Sequence, residues 1–236
     1  MKWDDYDAAL FDLDGVLTPT AEVHMHAWAQ MFTEFLADYP GQSAYSDQDY
    51  FDHVDGKPRY EGVATFLASR GIELPFGDAS DQPGAESVCG LGNRKNAVFT
   101  AVLARDGIAP YPGSLQLIDH LETLGVHQAV VSSSKNAPDV LAAAAIAERF
   151  PVVVHGGIAA EKGIAGKPQP DTYTYAAEQL GVPTQRCVVF EDAISGVQAG
   201  AAGDFGLVIG VDRGAGSDAL KSNGADVVVS DLAELI

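Results

Sequence analysis

Cysteine, positive charge and long apolar runs are the three things this sequence has little of. Cys89 and Cys187 are the only cysteines in 236 residues, far apart and without metal-site spacing. A disulfide framework is therefore excluded as an organising feature, and two reduced thiols in a reducing compartment are expected. Lysine and arginine number 14 against 33 aspartates and glutamates, a formal charge of −19. Such a field repels nucleic acid and anionic membranes, so neither is expected as a partner. No apolar run approaches the roughly 20 residues that span a bilayer. The opening Met-Lys-Trp-Asp-Asp-Tyr-Asp is acidic, unlike a secretory leader. The expectation is a cytoplasmic monomer, and the length suits one large domain or one domain with an insertion.

Against these absences stands one stretch, Ala8-Ala9-Leu10-Phe11-Asp12-Leu13-Asp14-Gly15-Val16-Leu17-Thr18. An apolar run that fits a buried strand ends in two carboxylates one residue apart, and a glycine lets the chain turn away. Residues two apart on a strand point to the same face. Asp12 and Asp14 would then sit together at the strand's carboxyl end, where open α/β sheets bind ligands. Carboxylates that close repel unless a cation lies between them, and oxygen-only ligands suit magnesium. An Asp-rich turn closing a strand is the simpler reading of the same residues.

Thr20 can cap a helix whose apolar positions Val23, Ala27, Met31 and Phe35 recur at helical spacing until Pro40-Gly41. From there to about Gly107 the pattern gives helices at 58–69 and 91–106, a loop at 74–83 and no strand. Alternation resumes at Tyr111-Pro112-Gly113: a helix to Leu124, strand 128–131, helix 138–149, strand 152–154, loop 156–166, helix 171–180 and strand 188–190. Short strands follow near 207–211 and 227–229. This order predicts an α/β fold, a doubly wound parallel sheet with helices on both faces. The core is discontinuous, 1–19 and 109–236, with an all-helical cap inserted over 20–108.

Three later strands end in polar signals. Ser132-Ser133-Ser134-Lys135-Asn136 offers hydroxyls and backbone N–H groups able to bind phosphate oxygens, or is a serine-rich turn. Gly166-Lys167-Pro168-Gln169-Pro170-Asp171 places a lysine before a helix, where it would neutralise a carboxylate and a transferring phosphoryl group, or is a surface turn. Glu191-Asp192-Ala193-Ile194-Ser195-Gly196 completes a magnesium site or caps the next helix.

Taken together and in this order, the four motifs resemble those of the haloacid dehalogenase (HAD) phosphotransferases, and the resemblance covers most of the chain. It implies a Rossmann-like core with a helical cap. Asp12 would be the nucleophile that becomes phosphorylated and Asp14 the general acid/base. Ser132 and Ser133 would bind phosphate with Lys167, and Asp12, Asp14, Asp192 and, directly or through water, Glu191 would hold Mg2+. Thr20-Ala21-Glu22-Val23-His24, Gly56 to Arg59, Arg94-Lys95-Asn96 and Ser134-Lys135-Asn136 are similar to the β-phosphoglucomutase branch. That branch implies a sugar phosphate as partner, with Arg59 and Asn136 on the phosphate not being transferred, Lys95 on the sugar, and His24 linked to the placing of Asp14. Pro19 stands where many relatives have Asp. The reaction implied is β-glucose 1-phosphate to glucose 6-phosphate, with a phosphatase on the same scaffold as the alternative. A phospho-accepting signalling domain needs no helical cap, and Gly90-Leu91-Gly92 lacks the third glycine of a dinucleotide-binding loop.

Overall fold

The computed structural model describes residues 1–236, which divide into two compact units, Met1–Thr20 with Ile108–Ile236, and Ala21–Gly107. In chain order the elements are β1 (Ala8–Phe11), α1 (Thr20–Leu36), α2 (Asp47–His53), α3 (Arg59–Ser69), α4 (Val88–Asp106), α5 (Pro112–Leu124), β2 (His127–Ser132), α6 (Ala137–Ala143), β3 (Val152–His155), α7 (Gly156–Lys162), α8 (Asp171–Leu180), β4 (Cys187–Glu191), α9 (Ile194–Ala202), β5 (Leu207–Val211), α10 (Ser217–Ser222) and β6 (Val227–Val229).

The first unit is built on one six-stranded sheet in the order β3-β2-β1-β4-β5-β6, every pairing parallel. β1 lies between β2 and β4, with Phe11 opposite both Val130 and Phe190. Chain order reverses direction here, which makes the carboxyl end of β1 the switch point where such sheets bind ligands. The strands read as near-continuous apolar runs because both faces are covered. Ala8, Leu10, Ala129, Val131, Cys187 and Val189 pack on one side with Tyr173, Ala176 and Ala177 of α8 and Ala199 of α9. On the other side Phe11 stacks on Phe190 with ring centroids 4.5 Å apart.

The second unit buries Trp28, Met31, Phe32 and Phe35 of α1 with Tyr50 of α2, Val63, Phe66 and Leu67 of α3, and Val88 and Leu91 of α4. Helix α2 lies in a stretch without apolar period. It forms because Ser46 and Asp49 make a capping box at its start and Arg70 grips both Asp49 oxygens at 2.8 Å. Gly90 and Gly92 lie inside α4, where a Cβ would overlap Ala85 and Tyr60, so they serve helix packing rather than a nucleotide loop.

Two sequence expectations are corrected. The helix expected over 138–149 is α6 alone, because Ala145 turns left-handed (φ 55°) and a separate 3₁₀ turn follows at Ala147–Arg149, burying Ile146 and Phe150. The loop expected over 156–166 contains α7, whose first turn is capped by His155 Nδ1 accepting from the Gly157 amide at 3.1 Å. No helix is long and apolar enough to cross a membrane.

Both cysteines are buried as free thiols. Burial pushes the Cys187 thiol up to about 12, so its reactive thiolate is scarce at ordinary pH. A disulfide-exchange reagent at pH 8 is expected to titrate neither thiol in the native protein and both after denaturation. Rapid native reaction of Cys187 would contradict this packing.

Candidate active site

The site grows from the carboxyl ends of three neighbouring strands. The Asp12 amide donates to the Phe190 carbonyl at 2.9 Å, continuing the β1 pairing one residue beyond the strand. Leu13 is fully buried, and Gly15 then turns the chain with a φ of +92°, its amide bonded to the Thr18 carbonyl at 2.8 Å. Only glycine adopts that conformation without strain. A Cβ at Gly15 would also overlap the Asp192 carboxylate, so the end of β4 lies directly against the turn after Asp14.

Asp14 is placed by two hydroxyls. Thr20 Oγ1 donates to its Oδ1 at 2.5 Å and Ser132 Oγ to its Oδ2 at 3.3 Å, while Thr18 and Thr20 share a 2.8 Å hydrogen bond. Ser132, at the end of β2, accepts from the Ser134 amide at 3.1 Å, and Ser134 Oγ accepts from the Asn136 amide at 3.1 Å. These bonds fold the 132–136 loop into a tight run that also carries Ser133.

Lys167 is 2% exposed, and its three N–H donors all have acceptors. They go to Asp12 Oδ1 at 2.5 Å, Glu191 Oε1 at 2.5 Å and the Val131 carbonyl at 3.0 Å. Burial pulls the Lys167 ammonium down, but the Asp12 and Glu191 carboxylates outweigh it and hold the group charged beyond the usual lysine range. Burial pushes the Asp12 carboxyl upward, opposed by Lys167 and reinforced by Glu191 and Asp14. The ammonium 2.5 Å away favours the carboxylate form of Asp12 against that push.

Glu191 is held from every side. Its Oε1 accepts from Tyr173 Oη at 3.0 Å as well as from Lys167, its Oε2 accepts from the Ala193 amide at 3.0 Å, and a Cβ at Gly196 would overlap it. The Lys167 ammonium also lies 5.0 Å from the centre of the Tyr173 ring. Tyr173 and Thr20 thus join the site; Tyr173 carries no motif signal for it, and Thr20, though it opens the Thr20–His24 stretch, is expected from sequence only as a helix cap.

In the second unit, Lys95 is buried with its ammonium 5.0 Å from the ring centres of both Trp28 and Phe99. It donates to His24 Nδ1, which assigns the imidazole proton to Nε2, and His24 stacks on Phe99 at 4.0 Å. Arg59 donates to Asn96 Oδ1 at 2.7 Å and to Asn93 Oδ1 at 3.3 Å; burial pulls its guanidinium below the usual arginine range. Asn93 is an addition that sequence did not supply.

The structure therefore brings Asp12, Asp14, Ser132, Lys167, Glu191 and Asp192 together in the first unit. It pairs His24 with Lys95, and places Arg59 separately, in the second. A doubly wound α/β sheet with a carboxylate held on a buried lysine at its switch point, together with the relatives below, defines the chain as an enzyme of phosphoryl chemistry, a phosphotransferase or phosphatase. The haloacid dehalogenase-like hydrolase model matches residues 6–204. The β-phosphoglucomutase of Mycobacterium tuberculosis is 46% identical over 238 residues, covering 97% of this chain and 91% of that protein. Among solved structures, β-phosphoglucomutase from Clostridium difficile superposes with a TM-score of 0.79 at 24% identity over 98% of this chain and 93% of its own. A point mutant of CbbY from Rhodobacter sphaeroides, in complex with xylulose 1,5-bisphosphate, does so with 0.75 at 25% identity over 98% and 96%. The chain belongs to the haloacid dehalogenase-like hydrolase family, in its β-phosphoglucomutase-like branch.

Replacing Lys167 by Met keeps the bulk and removes the charge. Turnover is expected to fall by about 100- to 1,000-fold, the scale of losing one preorganised electrostatic stabiliser. Stability should fall by about 3–5 kcal/mol, because the buried carboxylates lose their counter-charge. Adding Glu191→Gln should restore much of the stability, read by urea unfolding, and none of the turnover.

Proposed function

We propose that this enzyme is a β-phosphoglucomutase, converting β-glucose 1-phosphate to glucose 6-phosphate through a phosphate carried on Asp12. The observation that carries the reading is the Lys167 bridge between Asp12 and Glu191, beside an Asp14 whose two oxygens each accept from a hydroxyl. One carboxylate is thereby fixed for attack and the other for proton transfer.

Phosphorylated Asp12 first gives its phosphoryl group to the sugar 6-hydroxyl: the new oxygen–phosphorus bond forms, the acyl phosphate bond breaks, and Asp14 takes the hydroxyl proton. The resulting 1,6-bisphosphate turns over. Asp12 then attacks the phosphorus on C1, the bond to the sugar oxygen breaks, and Asp14 returns its proton to that oxygen as glucose 6-phosphate leaves. Lys167 keeps its bonds to Glu191 and Val131 and turns the remaining N–H from Asp12 to the transferring oxygens, with Ser132 and Ser133 as further donors. In the second unit Arg59 is assigned to the phosphate not in transfer and Lys95 to the sugar, with His24 setting the orientation of Lys95. Asn136 is assigned to the same distal phosphate as Arg59.

The donor set fits Mg2+. Two nearly buried carboxylates, Asp12 and Asp192, are hard oxygen donors, and Asp192 is seated against Gly15 beside the Asp14 backbone. The third donor is assigned to the Asp14 backbone carbonyl. Glu191, first expected among the ligands, has both oxygens engaged by Lys167, Tyr173 and Ala193 and is reassigned to orienting Lys167. Bound there, the cation would neutralise charge on the transferring oxygens.

Release of the phosphate to water is the competing outcome, because the same residues serve attack by water on phosphorylated Asp12. Incubation with Mg2+, β-glucose 1-phosphate and a trace of the 1,6-bisphosphate is expected to give glucose 6-phosphate well ahead of free phosphate. A chelator should stop the reaction and Mg2+ restore it. Free phosphate alone would make the enzyme a phosphatase.

A further inference from the structure

Arg213 lies outside every motif that carries the chemistry. It follows β5, and in a chain short of positive charge its donors go to carbonyl oxygens. Nε donates to the Gly15 carbonyl at 2.9 Å and Nη1 to the Ser230 carbonyl at 3.0 Å, and the guanidinium lies 4.0 Å from the Tyr111 ring centre. Nη2 is buried without a partner, an arrangement that needs strong interactions elsewhere in the group to persist. Asp212 steadies the loop by accepting from the Gly214 and Gly216 amides at 3.0 and 3.1 Å.

The target of this arginine is the turn that follows Asp14. Three successive carbonyls there are held: Gly15 by Arg213, Val16 by Ser114 Oγ at 2.7 Å, and Leu17 by the Tyr111 amide at 2.9 Å. Arg213 supplies the first of these clamps directly and lies over the ring of the residue whose amide supplies the third. Gly15 is the residue with the widest conformational freedom in the segment and has a φ of +92°. Its orientation sets the path from Asp14 to Thr20, whose hydroxyl fixes the Asp14 carboxylate at 2.5 Å.

We infer that Arg213 is a positioning residue for Asp14, acting through the Gly15 carbonyl and Tyr111 to hold the general acid where the leaving oxygen needs it. A guanidinium suits the task because its planar fork bonds two carbonyls while stacking on a ring, which an ammonium cannot do. The inference rests on the reading of Asp14 as the acid, not on the identity of the sugar.

The test uses leaving-group dependence. 4-Nitrophenyl phosphate loses 4-nitrophenolate without needing a proton, whereas phenyl phosphate has the poorer leaving group and gains more from an acid. In Arg213→Ala the phenyl to 4-nitrophenyl rate ratio is expected to fall about tenfold, the scale of a misplaced catalytic group, with KM within about twofold. Arg213→Lys should fall less. In an Asp14→Asn background Arg213→Ala should leave the ratio unchanged, since the two act as one unit. Circular dichroism confirms that each variant is folded. An unchanged ratio in Arg213→Ala, or a further fall in the Asp14→Asn background, would overturn the inference. A ratio that falls in Arg213→Ala, beside a wild-type enzyme inactive on β-glucose 1-phosphate, would support Arg213 and remove the mutase reading alone.

Discussion

Lys167 takes an ammonium ion to a place 2% exposed. Its removal from water is offset because acceptors from three strands converge on it: Asp12 just past β1, the Val131 carbonyl in β2, and Glu191 at the end of β4. Those strands are neighbours in the order β2-β1-β4, so the register of a parallel sheet decides whether the triad of acceptors exists. An uncompensated buried charge costs several kcal/mol, which ties the chemistry to the fold: sheet pairings that failed to align Phe11 with Val130 and Phe190 would also lose the site.

The rest of the molecule supports this arrangement by spending few cations on it. In a chain of charge −19, exposed pairs such as Arg105 with Asp106 contribute little. The cations withdrawn from water, Lys167 and Lys95 buried and Arg59 and Arg213 half-buried, are each held differently. Lys167 is set among carboxylates, Lys95 between the faces of Trp28 and Phe99, Arg59 against amide oxygens, and Arg213 against carbonyls. An acidic protein holds an anionic ligand only where positive charge is concentrated and desolvated, and these placements concentrate it locally within each unit.

The sheet and its strand ends were legible in the sequence because apolar runs ending in Asp-x-Asp, Ser-Ser, and Glu-Asp are local signals that parallel pairing leaves intact. Helix α2 was hidden, since Asp47–His53 has no apolar period and depends on Ser46 and on Arg70 from farther along the chain. Helix α7 was hidden behind a Gly-Gly start that reads as loop. The joint placement of Asp12, Lys167 and Glu191 follows from motif order, yet the engagement of both Glu191 oxygens does not, because it requires Tyr173 from α8 and the Ala193 amide to arrive at one carboxylate. Thr20, which the sequence offers as a helix cap, is instead the first residue of α1 and turns its hydroxyl to Asp14. Arg213 meets Gly15 across 198 residues of sequence, a contact that only tertiary structure reveals.

Trapping the phosphoenzyme decides whether Asp12 carries the phosphate. The enzyme would be mixed with Mg2+ and the sugar 1,6-bisphosphate, quenched in acid within the first turnover, and its peptides mapped by mass spectrometry. One hydroxylamine-labile phosphate is expected on the peptide containing Asp12, and none in Asp12→Asn. A phosphate on Asp14 or a serine, or turnover without any covalent phosphate, would contradict it.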